Sequence, residues 1–226
     1  MPDLNAGIFY KNIIMDIAAL RKEYMLSNLS ETDVAKTPHQ QFEKWWDDAV
    51  KSEIIEPNAM ALSTVSADGI PSNRIVLLKG FDSNGLVFFT NYESRKGREI
   101  SHNQNVSVLF FWKELERQVR INGRASKTNA DQSDAYFQSR PLGSRIGAWA
   151  SPQSQVITDR FVLEKNVKVM EEKFSELEVP RPEHWGGYLI APSEIEFWQG
   201  RPSRLHDRIL YTKDSSGSWK IQRLAP

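Results

Sequence analysis

The sequence of 226 residues contains no cysteine. This absence excludes disulfide bonds, thiolate catalysis, iron–sulfur clusters held by cysteine and cysteine-ligated zinc. The four histidines, at positions 39, 102, 184 and 206, do not have the spacing of metal ligands. We therefore expect no transition-metal site.

Long hydrophobic runs and an excess of one charge are absent as well. No apolar stretch approaches the roughly 20 residues that span a bilayer, and residues 1–12 lack the apolar core of a signal peptide. A cytoplasmic protein that does not enter membranes is the expectation. Basic and acidic residues balance at 29 each, whereas nucleic-acid partners usually demand a strongly basic surface. We therefore expect no nucleic-acid partner, and expect any local basic cluster to bind a small anion.

Three glycine-based motifs are also missing. The sequence has no G-x-G-x-x-G, no Walker loop and no G-x-S-x-G. These absences argue against a Rossmann dinucleotide domain, a P-loop NTPase and an α/β-hydrolase. A nucleotide cofactor would have to bind outside those frameworks.

The sequence does contain many short β-rich runs, at residues 60–66, 74–81, 86–91, 106–113, 118–126, 187–190, 195–199, 208–213 and 219–223. Turn signals at 67–69 and 82–85 separate the first three and are typical of antiparallel hairpins. Helical patterns cover 13–26, 129–139 and 154–177, and another helix begins at Thr37-Pro38 and contains Trp45 and Trp46, which we assign to the core.

Strands and helices do not alternate regularly along the chain. With 40% hydrophobic residues, 226 residues suffice to bury one core. We predict a single domain over 1–226 that is mainly β with helices (α+β), an antiparallel Greek-key-like barrel flanked by helices.

The densest chemical signal lies at residues 196–208, which contain Trp198, Arg201, Arg204, His206 and Arg208. Clustered cations are unfavourable for folding alone, so a bound anion or electron-rich ring would compensate them. One interpretation of His206 is a structural histidine held by Asp207. With Trp198 and Arg208 at strand spacing, the cluster also fits a redox site that has an aromatic wall for a heterocycle.

Arg74 and Lys79 stand at the two ends of an apolar hexapeptide, about 16 Å apart at roughly 3.3 Å per residue. Ideal alternation places them on opposite faces, so both serve one site only through twist, a bulge or a position at the strand end. In isolation, a buried strand with solvated ends is the simpler interpretation.

Arg95 and Lys96 follow Ser94, a predicted helix N-cap. The helix dipole disfavours cations in a first turn, and a phosphate bound there would reverse this penalty. Tyr136 and Arg140 are four residues apart near a predicted helix end, and with nearby Ser144 they form a second candidate phosphate pocket. For this second group an exposed helix end with a favourable arginine is an equal alternative.

Together these motifs follow the order found in a known family. The matching segments are 21–24, 74–79, 94–96, 116–119, 136–141, 146–149, 153–154, 185–187, 196–208 and 223–226. Over residues 21–226 the chain resembles the pyridoxine (pyridoxamine) 5′-phosphate oxidase family. Any one motif is a weak signal, whereas the ordered combination is highly specific.

The resemblance implies an FMN-binding split β-barrel in a homodimer, with each flavin at the subunit interface. It assigns to FMN the residues Arg74, Ile75, Val76, Leu77, Leu78, Lys79, Phe89, Thr90, Arg95, Lys96, Gln118, Gln153, Ser154, Trp198 and Arg208. It assigns to the substrate the residues Arg21, Lys22, Glu23, Tyr24, Lys79, Tyr136, Arg140, Ser144, Arg204, Leu205 and His206. Among these, Arg204 and His206 are the implied catalytic residues. Residues 1–30 would form an N-terminal segment whose positions 21–24 act as a mobile lid, and residues 180–226 would complete the active site.

The activity implied is oxidation of pyridoxamine 5′-phosphate and pyridoxine 5′-phosphate to pyridoxal 5′-phosphate, with molecular oxygen reduced to hydrogen peroxide. Three alternatives stay open at this point. They are a flavin oxidoreductase acting on another ring system, a non-catalytic carrier of a B6 vitamer or flavin, and a nucleic-acid-binding barrel. Zero net charge disfavours the last.

Overall fold

The computed structural model describes residues 22–226. Within them, nine strands form one antiparallel sheet: β1 (Ala59–Val65), β2 (Pro71–Leu77), β3 (Gly80–Asp82), β4 (Gly85–Asn91), β5 (Asn105–Trp112), β6 (Arg117–Lys127), β7 (Trp185–Gln199), β8 (Asp207–Lys213) and β9 (Trp219–Arg223). Five α-helices flank the sheet: α1 (Pro38–Lys51), α2 (Arg95–His102), α3 (Ala130–Ser139), α4 (Leu142–Ala150) and α5 (Arg160–Lys173). The predicted α+β class with an antiparallel sheet is confirmed.

The sheet curls into a barrel that is split along β7. Its strand order is β2-β1-β5-β6-β7-β4-β3, with β8 paired to β7 and β9 to β8. The first part of β7 pairs with β4, and its last six residues pair with β8. The first and last strands of this order, β2 and β3, are consecutive in the chain. Between them the Leu78 amide donates to the Asn58 carbonyl and the Lys79 amide to the Val87 carbonyl, each at 2.8 Å, so the curl is closed by backbone bonds.

The barrel interior is filled by large apolar side chains from alternate strand positions. Fully buried examples are Met60, Leu62, Phe88, Phe110, Trp112, Ile121, Phe197 and Ile209. Helix α1 packs onto this core, with the Trp45 ring 5.2 Å from that of Phe197. Trp45 is buried and Trp46 packs against the same cluster, so their assignment to the core is confirmed.

A second, smaller core joins the helices to the barrel. It contains Phe137, Ile146, Phe174, Val179 and Trp185, from α3, α4, the residues after α5 and the start of β7. This packing places the C-terminal end of α3 beside β4. Among residues 22–226, no helix is long and apolar enough to cross a membrane.

Several element bounds differ from the prediction. The run at 74–81 is divided into β2 and β3 because residues 78 and 79 turn from one side of the barrel to the other. The runs at 187–190 and 195–199 are one strand, because a bulge next to Pro192 lets the strand continue. Gly123 pairs with Pro192 and Asn122 with Glu194, so Ser193 is the extra residue. Pro141 ends α3 as expected but also caps an unpredicted helix, α4.

Two predicted helices are shorter than their sequence patterns. The pattern at 154–177 becomes α5, Arg160–Lys173. Of the predicted helix at 13–26, residues 22–26 are irregular, and the rest lies outside the described residues. The amides of Met25 and Leu26 donate to the Glu116 carboxylate, which replaces the carbonyl acceptors of a helix.

Candidate active site

A cleft of about 370 Å³ opens where β2, β4, α2 and the end of α3 meet. We call it the cationic cleft. It is lined by Arg74, Ile75, Val76, Leu77, Lys79, Phe89, Thr90, Lys96, Tyr136, Arg140, Gln153 and Trp185. Every lining residue except Trp185 is among the predicted cofactor or substrate residues. The fold thus brings together side chains from five separate sequence motifs.

Arg74 and Lys79 reach this one cleft despite their unfavourable spacing. Strand β2 ends at Leu77, so Lys79 lies in the two-residue connection to β3 and is freed from the alternation of side chains. Leu78, between them, points its side chain into the core, where it is 5% exposed. Lys79 therefore shares the cleft with Arg74 because it lies at the strand end, and not because of twist or a bulge.

A buried carboxylate fixes the arginines near this cleft. Glu99 is 5% exposed and accepts hydrogen bonds from Thr64 Oγ1 at 2.5 Å, Ser72 Oγ at 2.6 Å, Arg74 Nη2 at 3.2 Å and Arg95 Nε at 2.9 Å. Burial opposes its ionisation, yet these four hydrogen bonds outweigh burial and lower the pKa of Glu99 to about 2. Glu99 is therefore an anion at any physiological pH and holds both guanidinium groups in place.

Helix α2 begins at the rim of the cleft. The Ser94 hydroxyl accepts from the Gly97 amide at 3.3 Å, which confirms Ser94 as the N-cap. A side chain at Gly97 would place its Cβ 2.0 Å from the Tyr92 carbonyl oxygen, so only glycine allows the helix to begin this close to β4. The first turn contains no acidic residue, and it directs Lys96 into the cleft.

Lys96 is a half-buried cation surrounded by neutral oxygens. Its Nζ donates to Thr90 Oγ1 at 3.1 Å, Ser94 Oγ at 3.2 Å and Gln153 Oε1 at 3.1 Å. Burial, with a smaller contribution from the charge of Arg74, lowers the pKa of Lys96 to about 8. An anion in the cleft would supply the missing countercharge and raise that pKa again.

An aromatic wall forms the other side of the cleft. Tyr136 stacks on Phe89 with ring centroids 4.0 Å apart, and Trp185 lies nearly parallel to both rings. The Arg140 guanidinium lies 4.6 Å from the Trp185 ring centroid. Its Nη1 is buried without a hydrogen-bond partner among the described residues, and burial lowers the pKa of Arg140. The described chain therefore leaves one buried donor of Arg140 without an acceptor.

A second cleft, of about 650 Å³, lies between the N-terminal segment and the loop after β7. We call it the N-terminal cleft. It is lined by Lys22, Glu23, Tyr24, Arg201, Ser203, Arg204 and His206. Ser203 and Arg204 are consecutive residues with φ of 56° and 61°. Left-handed conformations of non-glycine residues cost of order 1 kcal/mol or more and cluster at functional sites.

His206 is oriented by its own loop. Its Nδ1 accepts from the Arg201 amide at 3.1 Å, so the neutral ring has its proton on Nε2. Burial and the charge of Arg204 lower the pKa of His206. The ring lies 4.4 Å from Trp198 and 5.9 Å from Tyr24, centroid to centroid. A neutral imidazole held in this way is a hydrogen-bond donor at neutral pH.

Gln118, Trp198 and Arg208 lie side by side on three adjacent strands, as the register of β6, β7 and β8 shows. Arg208 forms a two-pronged ion pair with Glu196, at 2.7 and 3.1 Å, and donates to the Ala225 carbonyl at 2.8 Å. Its charge is therefore already compensated within the chain.

The remaining predicted site residues line neither cleft. Arg95 pairs with Glu99, Ser144 and Leu205 are exposed, and Ser154 occupies a turn with φ of 68°. Arg21 lies outside the described residues. The two clefts, as described, share no lining residue.

Sequence reasoning gave no role to Trp185 of the cationic cleft or to Arg201 and Ser203 of the N-terminal cleft. It also missed Glu99 and Glu116, two carboxylates that hold neighbouring residues in place. Trp185 and Glu116 lie inside matched motifs but received no role, and Glu99 lies outside every motif. The spacing of four between Arg95 and Glu99 on a predicted helix is the signal that indicates an ion pair there. Nothing in the local pattern indicates that Glu99 is buried.

Two family models match the chain. One, described as pyridoxamine 5′-phosphate oxidase, matches residues 46–174, and the other, the pyridoxine 5′-phosphate oxidase C-terminal dimerisation region, matches residues 185–226. The chain belongs to this family. A pyridoxine/pyridoxamine 5′-phosphate oxidase from Cupriavidus necator is 57% identical over 210 residues, which cover 93% of this chain and 99% of the relative. One from Burkholderia mallei is 58% identical over 212 residues, with the same coverage of both chains.

Solved structures agree with the fold. PhzG from Burkholderia lata, solved in complex with tetrahydrophenazine-1-carboxylic acid, has a TM-score of 0.83 and 30% identity, covering 89% of this chain and 99% of its own. An FMN-binding protein from Nostoc punctiforme, related to pyridoxamine 5′-phosphate oxidase, has a TM-score of 0.67 and 18% identity, with coverage of 85% and 100%. The resemblance and the split-barrel fold are therefore confirmed.

The pKa of Lys96 predicts how phosphate affinity depends on pH. Protonated Lys96 attracts a phosphate monoester, so affinity should be flat near pH 7 and fall as pH rises above about 8. Lys96→Met should weaken binding roughly 10- to 100-fold at pH 7, the range for hydrogen bonds to a charged group, and remove the fall above pH 8. Fluorescence titration of the apoprotein with FMN from pH 6.5 to 9.5 measures both effects.

Lys168→Met is the matched control, since Lys168 is an exposed lysine on α5. It should leave the affinity and its pH dependence as in the unaltered protein. An unchanged profile in Lys96→Met would show that Lys96 does not contact a bound phosphate.

Proposed function

We propose that this protein is an FMN-dependent oxidase that converts pyridoxamine 5′-phosphate and pyridoxine 5′-phosphate to pyridoxal 5′-phosphate, with oxygen reduced to hydrogen peroxide. The cationic cleft carries the proposal. Within the described chain, Lys79, Lys96 and Arg140 line it without any carboxylate partner, beside a stacked aromatic wall. Such a cleft suits anionic ligands that also carry flat rings, and the family relatives bear this oxidase's name.

The residues present fit FMN. A phosphate bound near the start of α2 would meet Lys96, Arg74 and Arg95 and would supply the countercharge that Lys96 lacks. Gln153 and Thr90, now bonded to Lys96, are further donors or acceptors at the same place. When bound, FMN supplies two-electron redox chemistry and reactivity with oxygen, which no side chain of this chain provides.

The substrate phosphate is assigned to the other end of the cleft. There Lys79, Tyr136 and Arg140 face the same space, and the Arg140 Nη1 lacks an acceptor in the described chain. Holding the phosphate at one end fixes where the reacting C4′ lies. The binding energy of the phosphate thus helps to orient C4′ for the reaction. With the amine substrate, two-electron oxidation at C4′ gives an imine, and water hydrolyses it with release of ammonia.

Arg204 and His206 are proposed to contact the pyridine ring and its side chain. Arg204 has no carboxylate partner in the part of the chain described, so its charge is free to face developing negative charge. His206, held through Nδ1, presents its Nε2 proton as a donor. Their role in this proposal is to orient and polarise the substrate.

A homodimer joins the two clefts in this proposal. The outer face of the sheet exposes Ile75 and Phe111, 64% and 51% accessible, on β2 and β5. Large exposed apolar residues on one face favour burial against a second copy. The family's dimerisation region, residues 185–226, includes Arg204 and His206. Since the two clefts share no residue in one chain, we place each flavin where the cationic cleft of one protomer meets the N-terminal cleft of its partner.

A phenazine-type reaction is the alternative to test, because PhzG shares the fold at 30% identity. The ligand in that structure carries a carboxylic acid in place of a phosphate. Four cationic side chains and a tyrosine gathered at one cleft favour the more highly charged phosphate.

The deciding assay is aerobic turnover by the FMN-loaded protein. We expect hydrogen peroxide and the absorbance of pyridoxal 5′-phosphate from both phosphorylated vitamers, and little or none from unphosphorylated pyridoxine or tetrahydrophenazine-1-carboxylic acid. A yellow protein that forms no peroxide with either phosphorylated vitamer would instead support a carrier. Faster turnover of the phenazine would support the alternative oxidoreductase.

Arg140→Ala tests the substrate phosphate site. Loss of a charged hydrogen-bond donor should raise KM for pyridoxine 5′-phosphate roughly 10- to 100-fold and leave FMN affinity nearly unchanged. Steady-state kinetics and an FMN titration measure the two effects. Arg160→Ala on α5, where the side chain is 86% exposed, is the control. An unchanged KM in Arg140→Ala contradicts the assignment.

Arg204→Leu tests the second cleft. The substitution removes the charge but keeps an aliphatic side chain, so turnover should fall at least tenfold, equivalent to about 1.4 kcal/mol of barrier, while FMN stays bound. Single-turnover reduction of the bound flavin, followed by its absorbance, measures the chemical step. Full activity in this variant would exclude Arg204 from the reaction.

A further inference from the structure

Glu116 is a buried carboxylate that the proposed chemistry does not use. Its side chain is 2% exposed, and its backbone is left-handed with φ of 54°. Oε2 accepts from the amides of Met25 at 2.8 Å and Leu26 at 3.1 Å, and Oε1 pairs with Lys22 Nζ at 3.2 Å. One carboxylate thus makes three charge-assisted contacts with a five-residue segment at least 90 positions earlier.

The same residue is bonded to the loop on the other side of the N-terminal cleft. The Glu116 carbonyl accepts from the Gly200 amide at 2.8 Å and from Gln199 Nε2 at 3.3 Å. Gln199 is fully buried and also accepts from Arg117 Nε at 2.9 Å. Glu116 is therefore fixed relative to the start of the 201–206 loop, and its side chain determines where residues 22–26 lie relative to that loop.

Tyr24 is the side chain that this arrangement positions. Its ring packs edge-on against Trp198 at 5.8 Å and contacts His206. A Cβ on Gly200 would come within 2.7 Å of the Tyr24 ring, so glycine at this position admits the tyrosine. The neighbours Met25 and Leu26 are 70% and 61% exposed, and therefore contribute little packing of their own. Hydrogen bonds to Glu116 are the main restraint on this part of the segment.

We infer that Glu116 is a positioning residue that fastens residues 22–26 across the N-terminal cleft and thereby places Tyr24 against Trp198 and His206. The expected effect on KM rests on the proposed function, whereas the expected effect on the position of residues 22–26 does not. Glu116 itself does not touch the cleft, so it acts through Lys22 and Tyr24.

Amide hydrogen exchange at single-residue resolution in the FMN-loaded protein tests the structural part. In Glu116→Ala, exchange at Met25 and Leu26 should accelerate at least tenfold. The Leu29 amide, which donates to Asp207 Oδ2 at 3.1 Å, should exchange as before and serves as an internal control. Glu114→Gln, on the exposed glutamate two residues earlier, should change nothing. Equal exchange at residues 25 and 26 with and without Glu116 would overturn the inference.

Kinetics test the consequence for the reaction. Glu116→Ala should raise KM for pyridoxine 5′-phosphate about tenfold, the lower end for lost charged hydrogen bonds, with kcat within about twofold and FMN affinity unchanged. In a Tyr24→Ala background the same substitution should add little, because the side chain it positions is absent. Additive effects in this double-mutant cycle, or an unchanged KM, would contradict a positioning role.

A second variant and an activity control distinguish a failure of this inference from a failure of folding or of the proposed function. Glu116→Gln keeps the size of the side chain and is used if Glu116→Ala does not fold. It should also speed exchange at Met25 and Leu26, because it removes the charge and one acceptor oxygen. If the unaltered protein has no oxidase activity, the proposed function fails, while the exchange data still decide whether Glu116 fastens the segment.

Discussion

The ion pairs of Glu99 decide which cations of the cleft are available for a ligand. Its carboxylate is buried, ionised and shared between Arg74 and Arg95, so it fixes both guanidinium groups and offsets one of their two positive charges. Lys96, one residue after Arg95, points away and receives only neutral oxygen partners. A buried carboxylate therefore supports the arginines without cancelling the lysine beside them. Because a charge without a countercharge is costly when half-buried, this arrangement favours an anion as the missing component.

Other cations of the described chain also fall into two groups, those paired with a carboxylate and those without one. Arg208 is paired with Glu196, and Arg201 with Asp207, whereas Lys79, Arg140 and Arg204 have no carboxylate within ion-pairing distance in residues 22–226. The overall charge is zero, so the imbalance is local and created by folding. Zero net charge disfavours a large polyanion as partner, and the placement of the carboxylates leaves cations that suit a small anion.

Much of the site was predictable because family motifs mark residues that line clefts. Four separate motifs supply Arg74, Lys79, Lys96, Tyr136, Arg140 and Gln153, and the structure gathers them in one place. Their joint position depends on the closure of the barrel between Lys79 and β4, a long-range property that no local pattern encodes. Strand positions were predictable from turn signals. The continuity of β7 through Pro192 was not, because proline usually ends a strand and the neighbouring bulge at Ser193 has no local signal.

Carboxylates that hold other residues were the hardest to predict. Glu99 and Glu116 look like ordinary surface glutamates in the sequence, and their burial follows only from tertiary packing. Yet they differ in what they hold. Glu99 fastens arginines that belong to a strand and a helix, so its cleft is built on regular elements. Glu116 fastens an irregular segment through a few hydrogen bonds, so opening the N-terminal cleft requires breaking far fewer contacts than opening the cationic cleft. Local opening follows the weakest set of contacts. Substrate exchange through the N-terminal side is therefore compatible with a cofactor that stays bound, as an oxidase with many turnovers requires.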